Sequence, residues 1–133
     1  MSFNWGLIAD NLPLLLQGAL VTVEITAMSV GCGFFIGLLV SLANLSKFRL
    51  VRLLAKCYVD IIRGTTLQVQ IFLIYFALPM ITGQRIDPYI AAVTACSINS
   101  GAYVSEIFRA GIQSIDKGQM EAGRSLGLTW GQT

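Results

Sequence analysis

The sequence has no histidine, and only 12% of its 133 residues are charged. A soluble domain of this size has about 25% charged residues. The net charge is only +2, which gives no reason to expect nucleic-acid binding. The three cysteines have no paired spacing, so neither a metal site nor a disulfide framework is predicted. No nucleophile–base pair stands out either, so we do not expect an enzyme.

Long uncharged runs dominate what is present. Hydrophobic residues make up 55% of the chain, and the mean hydropathy is +0.71. Residues 25–45, 64–81 and 89–105 contain no charge, and a helix of about 20 apolar residues crosses a bilayer. The sequence therefore predicts an all-α, polytopic helical membrane protein, a single domain over residues 1–133 embedded in the lipid bilayer. We place its three spans at 13–45, 57–81 and 89–112. Residues 1–11 are either a short interfacial helix or a frayed tail.

Basic residues are distributed unevenly between the predicted loops. The loop at 46–56 carries four cations and no acid, which is typical of a cytoplasmic loop. On this topology seven cations lie inside, one (Arg85) lies outside, and Arg63 lies in the second span. The N-terminus is then outside and the segment after the third span is cytoplasmic. The seven are Lys47, Arg49, Arg52, Lys56, Arg109, Lys117 and Arg124.

Small residues at intervals of four predict close helix packing. Gly33 and Gly37 form such a pair in the first span. The third span has small residues on more than one face, so we expect it at the centre of the bundle. Two charged pairs have the spacing of one helical turn, Asp60 with Arg63 and Glu106 with Arg109, and each is predicted to pair on its own helix.

Polar side chains inside the spans are the candidates for a substrate path. If the first span begins near residue 25, Glu24 lies at the outer interface. If it begins near residue 14, Glu24 lies inside the membrane and must face a polar cavity, because a central charge costs at least about 2.5 kcal/mol. Polar groups in the other spans either join helices by hydrogen bonds or line the path, and both readings stay open. The candidates are Glu24, Gln70, Asn99, Ser100, Tyr103 and Glu106.

The segment after the third span predicts one more, short helix. Asp116 is a good N-cap residue, Gln119 has the spacing of a capping box, and Gly127 suits a left-handed stop. A helix this short is marginal alone, because an isolated helix needs about 12–15 residues. We therefore expect the segment 116–127 to dock on a partner.

Two motifs resemble permease subunits of bacterial ABC importers for polar amino acids. Glu121-Ala-Gly, three residues and then Gly127 is similar to the Glu-Ala-Ala-x-x-x-Gly loop of that family, with Gly123 in place of the second Ala. The segment 60–79 resembles a second family signature but has Thr66 where the family usually has proline. A proline-set bend is therefore not expected, although Gly64 and Thr65 can still break the helix.

The resemblance implies a cytoplasmic coupling helix that sits in a groove of a separate ATP-binding subunit. It further implies a second permease subunit, identical or different, an extracytoplasmic amino-acid-binding protein and a place in the bacterial inner membrane. ATP and magnesium are then held by the partner, and this chain binds no cofactor. The substrate class is glutamine, glutamate, histidine or arginine. The implied docking residues are Gly118, Glu121, Ala122, Gly123 and Gly127.

The family unit continues with two further spans beyond the point that this sequence reaches. We therefore expect the chain to carry the first part of a permease. The alternative is a truncated, non-transporting membrane fragment or interaction subunit.

Overall fold

The computed structural model of the chain describes residues 5–133, and no strand occurs in that range. This confirms the predicted all-α class. A helix covers Trp5–Asp10, within the segment 1–11 for which the sequence allows either an interfacial helix or a frayed tail. Residues 1–4 lie outside the described range. In chain order the helices are α1 (Trp5–Asp10), α2 (Leu12–Asn44), α3 (Arg49–Gly64), α4 (Leu67–Phe72), a π-helical turn (Leu73–Ala77), α5 (Leu78–Thr82), α6 (Pro88–Gln113) and α7 (Lys117–Ser125).

Helix α2 has 33 residues and is long and apolar enough to cross a membrane by itself. It begins at Leu12, with Pro13 in the first turn, where a missing backbone N–H is tolerated. Glu24 consequently lies inside the helix, about 18 Å along the axis from its start at about 1.5 Å per residue. This start agrees with the second of the two alternatives for Glu24. Its depth in a bilayer stays a prediction.

The second predicted span is not one continuous helix. Helix α3 begins at Arg49, inside the predicted loop at 46–56, and it ends at Gly64. Thr65 and Thr66 are both extended, and α3 is bent by 105° from the following segment, Leu67–Thr82. Most of the predicted loop at 46–56 is therefore helical, because apolar residues interleaved with its cations at helical spacing make the segment an amphipathic helix.

No proline is needed for this break. Glycine followed by two β-branched residues has low helix propensity, and the Thr65 hydroxyl donates to the Ile61 carbonyl oxygen at 2.7 Å. That bond satisfies one of the carbonyl groups left free at the end of α3. The bend therefore arises from Gly64 and the two threonines.

Helix α6 is the central helix of the bundle. It packs along the length of α2 and also contacts α3, α4 and the π-helical turn. A Cβ atom on Gly33 would lie 2.7 Å from the Ser100 side chain, and one on Gly37 would lie 2.7 Å from Val104. A Cβ on Gly101 would in turn meet Ile36 at 2.7 Å. Small residues on both helices thus permit the close approach that the sequence predicted.

Among the described helices, α2 alone meets the length and apolarity needed for a span, and α3 with Leu67–Thr82 meets them when taken as one broken span. Helix α6 is long enough but more polar, since it carries buried serines and the charged residues Glu106 and Arg109. The polar side chains of α6 are tolerated because several of its positions are buried against the other helices. These buried positions are Ala91, Ala95, Ser97, Gly101, Ala102 and Ser105.

Candidate functional site

Helix α7 is capped at both ends as the sequence predicts. The Asp116 carboxylate accepts a hydrogen bond from the Gly118 backbone N–H at 2.8 Å. At the other end Gly127 has φ +83°, the left-handed region in which a side chain is strained. Its N–H donates to the Arg124 carbonyl at 3.0 Å, and the Leu128 N–H donates to the Gly123 carbonyl at 3.2 Å. The helix is therefore a defined unit of nine residues.

The side chains of α7 face outward. Glu121 and Ala122 are exposed, and the Glu121 carboxylate has no partner among residues 5–133. No other described helix packs against α7. Gly123 differs from its neighbours because a Cβ there would collide with the Thr133 side chain. The predicted capping-box contact of Gln119 is wrong, since its side chain makes no hydrogen bond within the described residues; the Asp116 side chain alone caps the helix.

A polar cleft of about 350 Å³ opens at the end of the bundle from which α7 projects. Because Gln113 ends α6, only Ser114–Asp116 separate the cleft from α7. The basic N-terminal half of α3 contributes Arg52 and Lys56 to the same cleft, so α7 and the basic segment lie at one end of the molecule. The lining residues are Asn44, Arg52, Lys56, Val59, Asp60, Arg63, Glu106, Arg109 and Gln113.

Glu106 is the centre of a charged network in this cleft. Its two carboxylate oxygens accept from Arg109 at 3.2 and 2.7 Å, which confirms the predicted pair within α6. Arg63 approaches the same carboxylate at 3.9 Å and lies 5.2 Å from the centre of the Tyr103 ring. Arg63 thus pairs between helices, and the predicted pair with Asp60 is not formed among the described residues. The Tyr103 ring and the Glu106 carboxylate, both on α6, hold the Arg63 guanidinium away from Asp60.

The Gln70 side chain makes hydrogen bonds across the break in the second predicted span. It is buried, and its amide nitrogen donates to the carbonyl oxygens of Ile62 at 2.9 Å and Thr65 at 3.1 Å. The Asn99 amide on α6 donates to the Gln70 side-chain oxygen at 3.3 Å. Two candidates for the substrate path therefore meet here: Gln70 donates to carbonyl groups beside the bend, and Asn99 donates to Gln70.

Gln70→Leu is expected to lower the free energy of unfolding by about 2 kcal/mol, because the Ile62 and Thr65 carbonyl groups and the Asn99 amide all lose their Gln70 partner. The matched control is Gln68→Leu, since Gln68 is exposed and makes no side-chain hydrogen bond in the described chain. Thermal unfolding in detergent, followed by circular dichroism, measures both variants. Equal stability of the two would contradict the bracing role of Gln70.

The remaining candidates for the substrate path lie apart from one another. Glu24 is exposed on α2, one turn before Met28, whose sulfur accepts a hydrogen bond from the Tyr89 hydroxyl at 3.2 Å. Ser100 packs against Gly33, and Tyr103 supports Arg63. The six candidates thus occupy four places within residues 5–133 and do not come together at one site. Their contact with a substrate stays a prediction.

One inter-helix contact had no clear signal in the sequence. The Tyr58 hydroxyl on α3 donates to the Ile98 carbonyl oxygen on α6 at 2.6 Å. A tyrosine in an apolar run indicates a buried polar end, but it does not indicate which carbonyl accepts. Within residues 5–133 no three potential metal-ligating side chains come together.

Comparison with known proteins identifies a family over most of the chain. The profile described as "Binding-protein-dependent transport system inner membrane component" matches residues 29–133. The chain is 42% identical over 132 residues to the arginine transport system permease protein ArtQ of Bacillus subtilis (strain 168), covering 99% of this chain and 60% of that protein. It is 43% identical over 134 residues to the glutamine transport system permease protein GlnP of Escherichia coli (strain K12), covering 100% and 61%.

A solved structure has the same fold. The crystal structure of an amino acid ABC transporter with histidines superposes with a TM-score of 0.89 at 41% identity, covering 98% of this chain and 61% of that one. This chain therefore spans about three fifths of the length of the relatives that it matches.

Proposed function

Because this chain belongs to the family of binding-protein-dependent transport system inner membrane components, we propose that it forms part of the permease subunit of an ATP-driven importer for a polar amino acid. The relatives ArtQ and GlnP, which are an arginine and a glutamine transport system permease protein, support this substrate class. Relatives of this kind are transport subunits, and the proposal places ATP hydrolysis in a separate partner.

The observation that carries the proposal is the isolation of α7. This helix is capped at both ends, stands clear of the other described helices and presents Glu121 without a partner. A helix of nine residues gains little from its own hydrogen bonds, so an exposed and well-defined one is suited to docking on another protein. We assign that partner as the ATP-binding subunit and Gly118, Glu121, Ala122, Gly123 and Gly127 as the docking residues.

A movement of α7 can be transmitted to the bundle through a short connection. Three residues join α7 to α6, and α6 contacts the broken span on both sides of the bend. Before the bend, Arg63 is tied to Glu106; after it, Gln70 is tied to Asn99. A displacement of α6 therefore acts on the angle between α3 and α4. We propose that this angle changes as the permease alternates between outward-open and inward-open states.

The other partners follow from the same proposal. A second permease subunit, identical or different, completes the pore, and an extracytoplasmic binding protein delivers the amino acid. The basic end of the bundle, with α7, is assigned to the cytoplasmic side of the bacterial inner membrane, and the N-terminus to the outside. Glu24, Gln70, Asn99, Ser100, Tyr103 and Glu106 remain the candidates for contact with the substrate.

Uptake and co-purification together test the proposed function. We expect a tagged full-length permease that carries this segment to capture its ATP-binding subunit from membranes. Expression in a strain without arginine and glutamine importers should restore uptake of at least one labelled polar amino acid. Stable insertion without uptake and without capture would instead favour a non-transporting membrane component.

A further inference from the structure

Helix α3 has three distinct faces along its 16 residues. One face, with Ala55 and Val59, is buried against the bundle. A second face carries the charged residues that point to the polar cleft, and a third is apolar but exposed. The break after Gly64 turns α3 by 105° from the segment Leu67–Thr82, so α3 is oriented separately from the rest of the broken span.

The basic residues at the start of α3 have no partner among the residues that the structure describes. Arg49, Arg52 and Lys56 are exposed and form neither an ion pair nor a side-chain hydrogen bond within residues 5–133. Two acidic groups share the cleft. Glu106 is already bound by Arg109 and Arg63, and Asp60 is a single exposed carboxylate. The cleft lining has four cations (Arg52, Lys56, Arg63 and Arg109) against these two acids, which leaves a net charge of +2.

The exposed apolar face lies directly beside these cations. Leu53 is 59% exposed and lies one helical turn from both Arg49 and Lys56, because residues three and four apart are neighbours on a helix. Leu50, Leu54 and Ile61 continue the same face and are 63–70% exposed. A ligand at this site must therefore carry an anionic group for the cations and an apolar part for the leucines.

We propose that the cationic edge of α3 binds the headgroup of an anionic phospholipid, with Arg49, Arg52 and Lys56 around the phosphate and an acyl chain along Leu50, Leu53 and Leu54. An amphipathic helix with basic residues beside an apolar face is suited to the interface of an anionic membrane. The continuity of the two faces distinguishes this ligand from a soluble phosphate, which has no use for the leucines. The proposal does not depend on transport.

Quenching of a tryptophan by brominated lipids tests the site in the full-length permease. All native tryptophans of the full-length permease are replaced by phenylalanine, including Trp5 and Trp130 of this segment, and Leu53→Trp places a reporter beside the cations. In bilayers of phosphatidylcholine with either brominated phosphatidylglycerol or brominated phosphatidylcholine, we expect the anionic lipid to quench more strongly. Leu20→Trp is the matched control, because Leu20 is 71% exposed on α2 outside the cleft, and it should show no preference.

The cations should account for the preference. We expect Arg52→Gln or Lys56→Gln to lower the phosphatidylglycerol preference by up to about fivefold each, while Lys117→Gln leaves it unchanged. With all three cations present, raising the salt from about 0.1 M to about 1 M should also reduce the preference at the Leu53→Trp reporter, which tests the role of charge without removing a cation. Equal quenching by the two lipids at Leu53→Trp overturns the proposal. Displacement by soluble glycerol phosphate also overturns it, since the site would then bind the anion alone.

Discussion

Glu121→Lys in the full-length permease is expected to lower substrate uptake by at least about thirtyfold, because a cation in place of a docked carboxylate costs about 2 kcal/mol or more at an interface. Glu121 is exposed and unpartnered, and α7 packs on no other described helix. The substitution should therefore leave insertion and folding of the spans intact. Uptake of a labelled amino acid, capture of the ATP-binding subunit and resistance to alkaline extraction measure the three properties separately.

Two matched variants make this prediction specific. Glu121→Gln removes the charge without reversing it and should retain part of the uptake. Gly127→Pro should behave like Glu121→Lys, because proline cannot adopt φ +83° and lacks the N–H that Gly127 donates to Arg124. Gly127→Asn keeps both features, since asparagine tolerates the left-handed region, and it should transport. Normal uptake with Glu121→Lys or Gly127→Pro would remove the coupling role of α7.

Gly37→Leu is expected to lower the free energy of unfolding by about 3 kcal/mol or more, because overpacking at a close helix contact forces the backbones apart. A Cβ at Gly37 would already lie 2.7 Å from the Val104 Cβ and 3.0 Å from the Gly101 carbonyl oxygen. Neither atom is the end of a flexible side chain, so relief requires α2 and α6 to separate. Thermal unfolding and denaturation in sodium dodecyl sulfate measure the loss.

The control for this prediction is on the same helix. Gly31 has open space within 4 Å of an added Cβ, so Gly31→Leu should be neutral or stabilise the helix by up to about 1 kcal/mol through its higher helix propensity. Equal loss of stability in the two variants would show that the helix as a whole rejects leucine. The close contact between α2 and α6 would then not explain the loss of stability in Gly37→Leu.

Local patterns in the sequence predicted several features correctly. The Asp116 cap, the left-handed Gly127, the Glu106–Arg109 pair and the close approach at Gly33 and Gly37 all depend on short-range spacing along a helix. Such spacing determines which residues share a face or end a helix, whatever the rest of the chain does. These features could therefore be read before any fold was known.

Contacts between helices were predicted less well. Arg63 was assigned to Asp60 on its own helix but pairs with Glu106 on α6. Gln70 was a candidate for the substrate path, and the structure shows its amide bound to carbonyl groups freed by the bend. The partners of Gln70 depend on the bend at Thr65–Thr66, and the partner of Arg63 depends on how α3 packs against α6; no spacing rule predicts either angle.

The sequence alone determined the helical class, the uneven distribution of basic residues and the limits of α7, because burial in a membrane, charge and end caps depend on residue type and short-range order. Only the tertiary structure decided that α3 is bent by 105° from the segment that follows it, that Glu106 joins two arginines from different helices, and that the polar cleft opens beside α7. The reason is that these features depend on the angles at which helices cross. A crossing angle results from how all the contacting side chains pack at once.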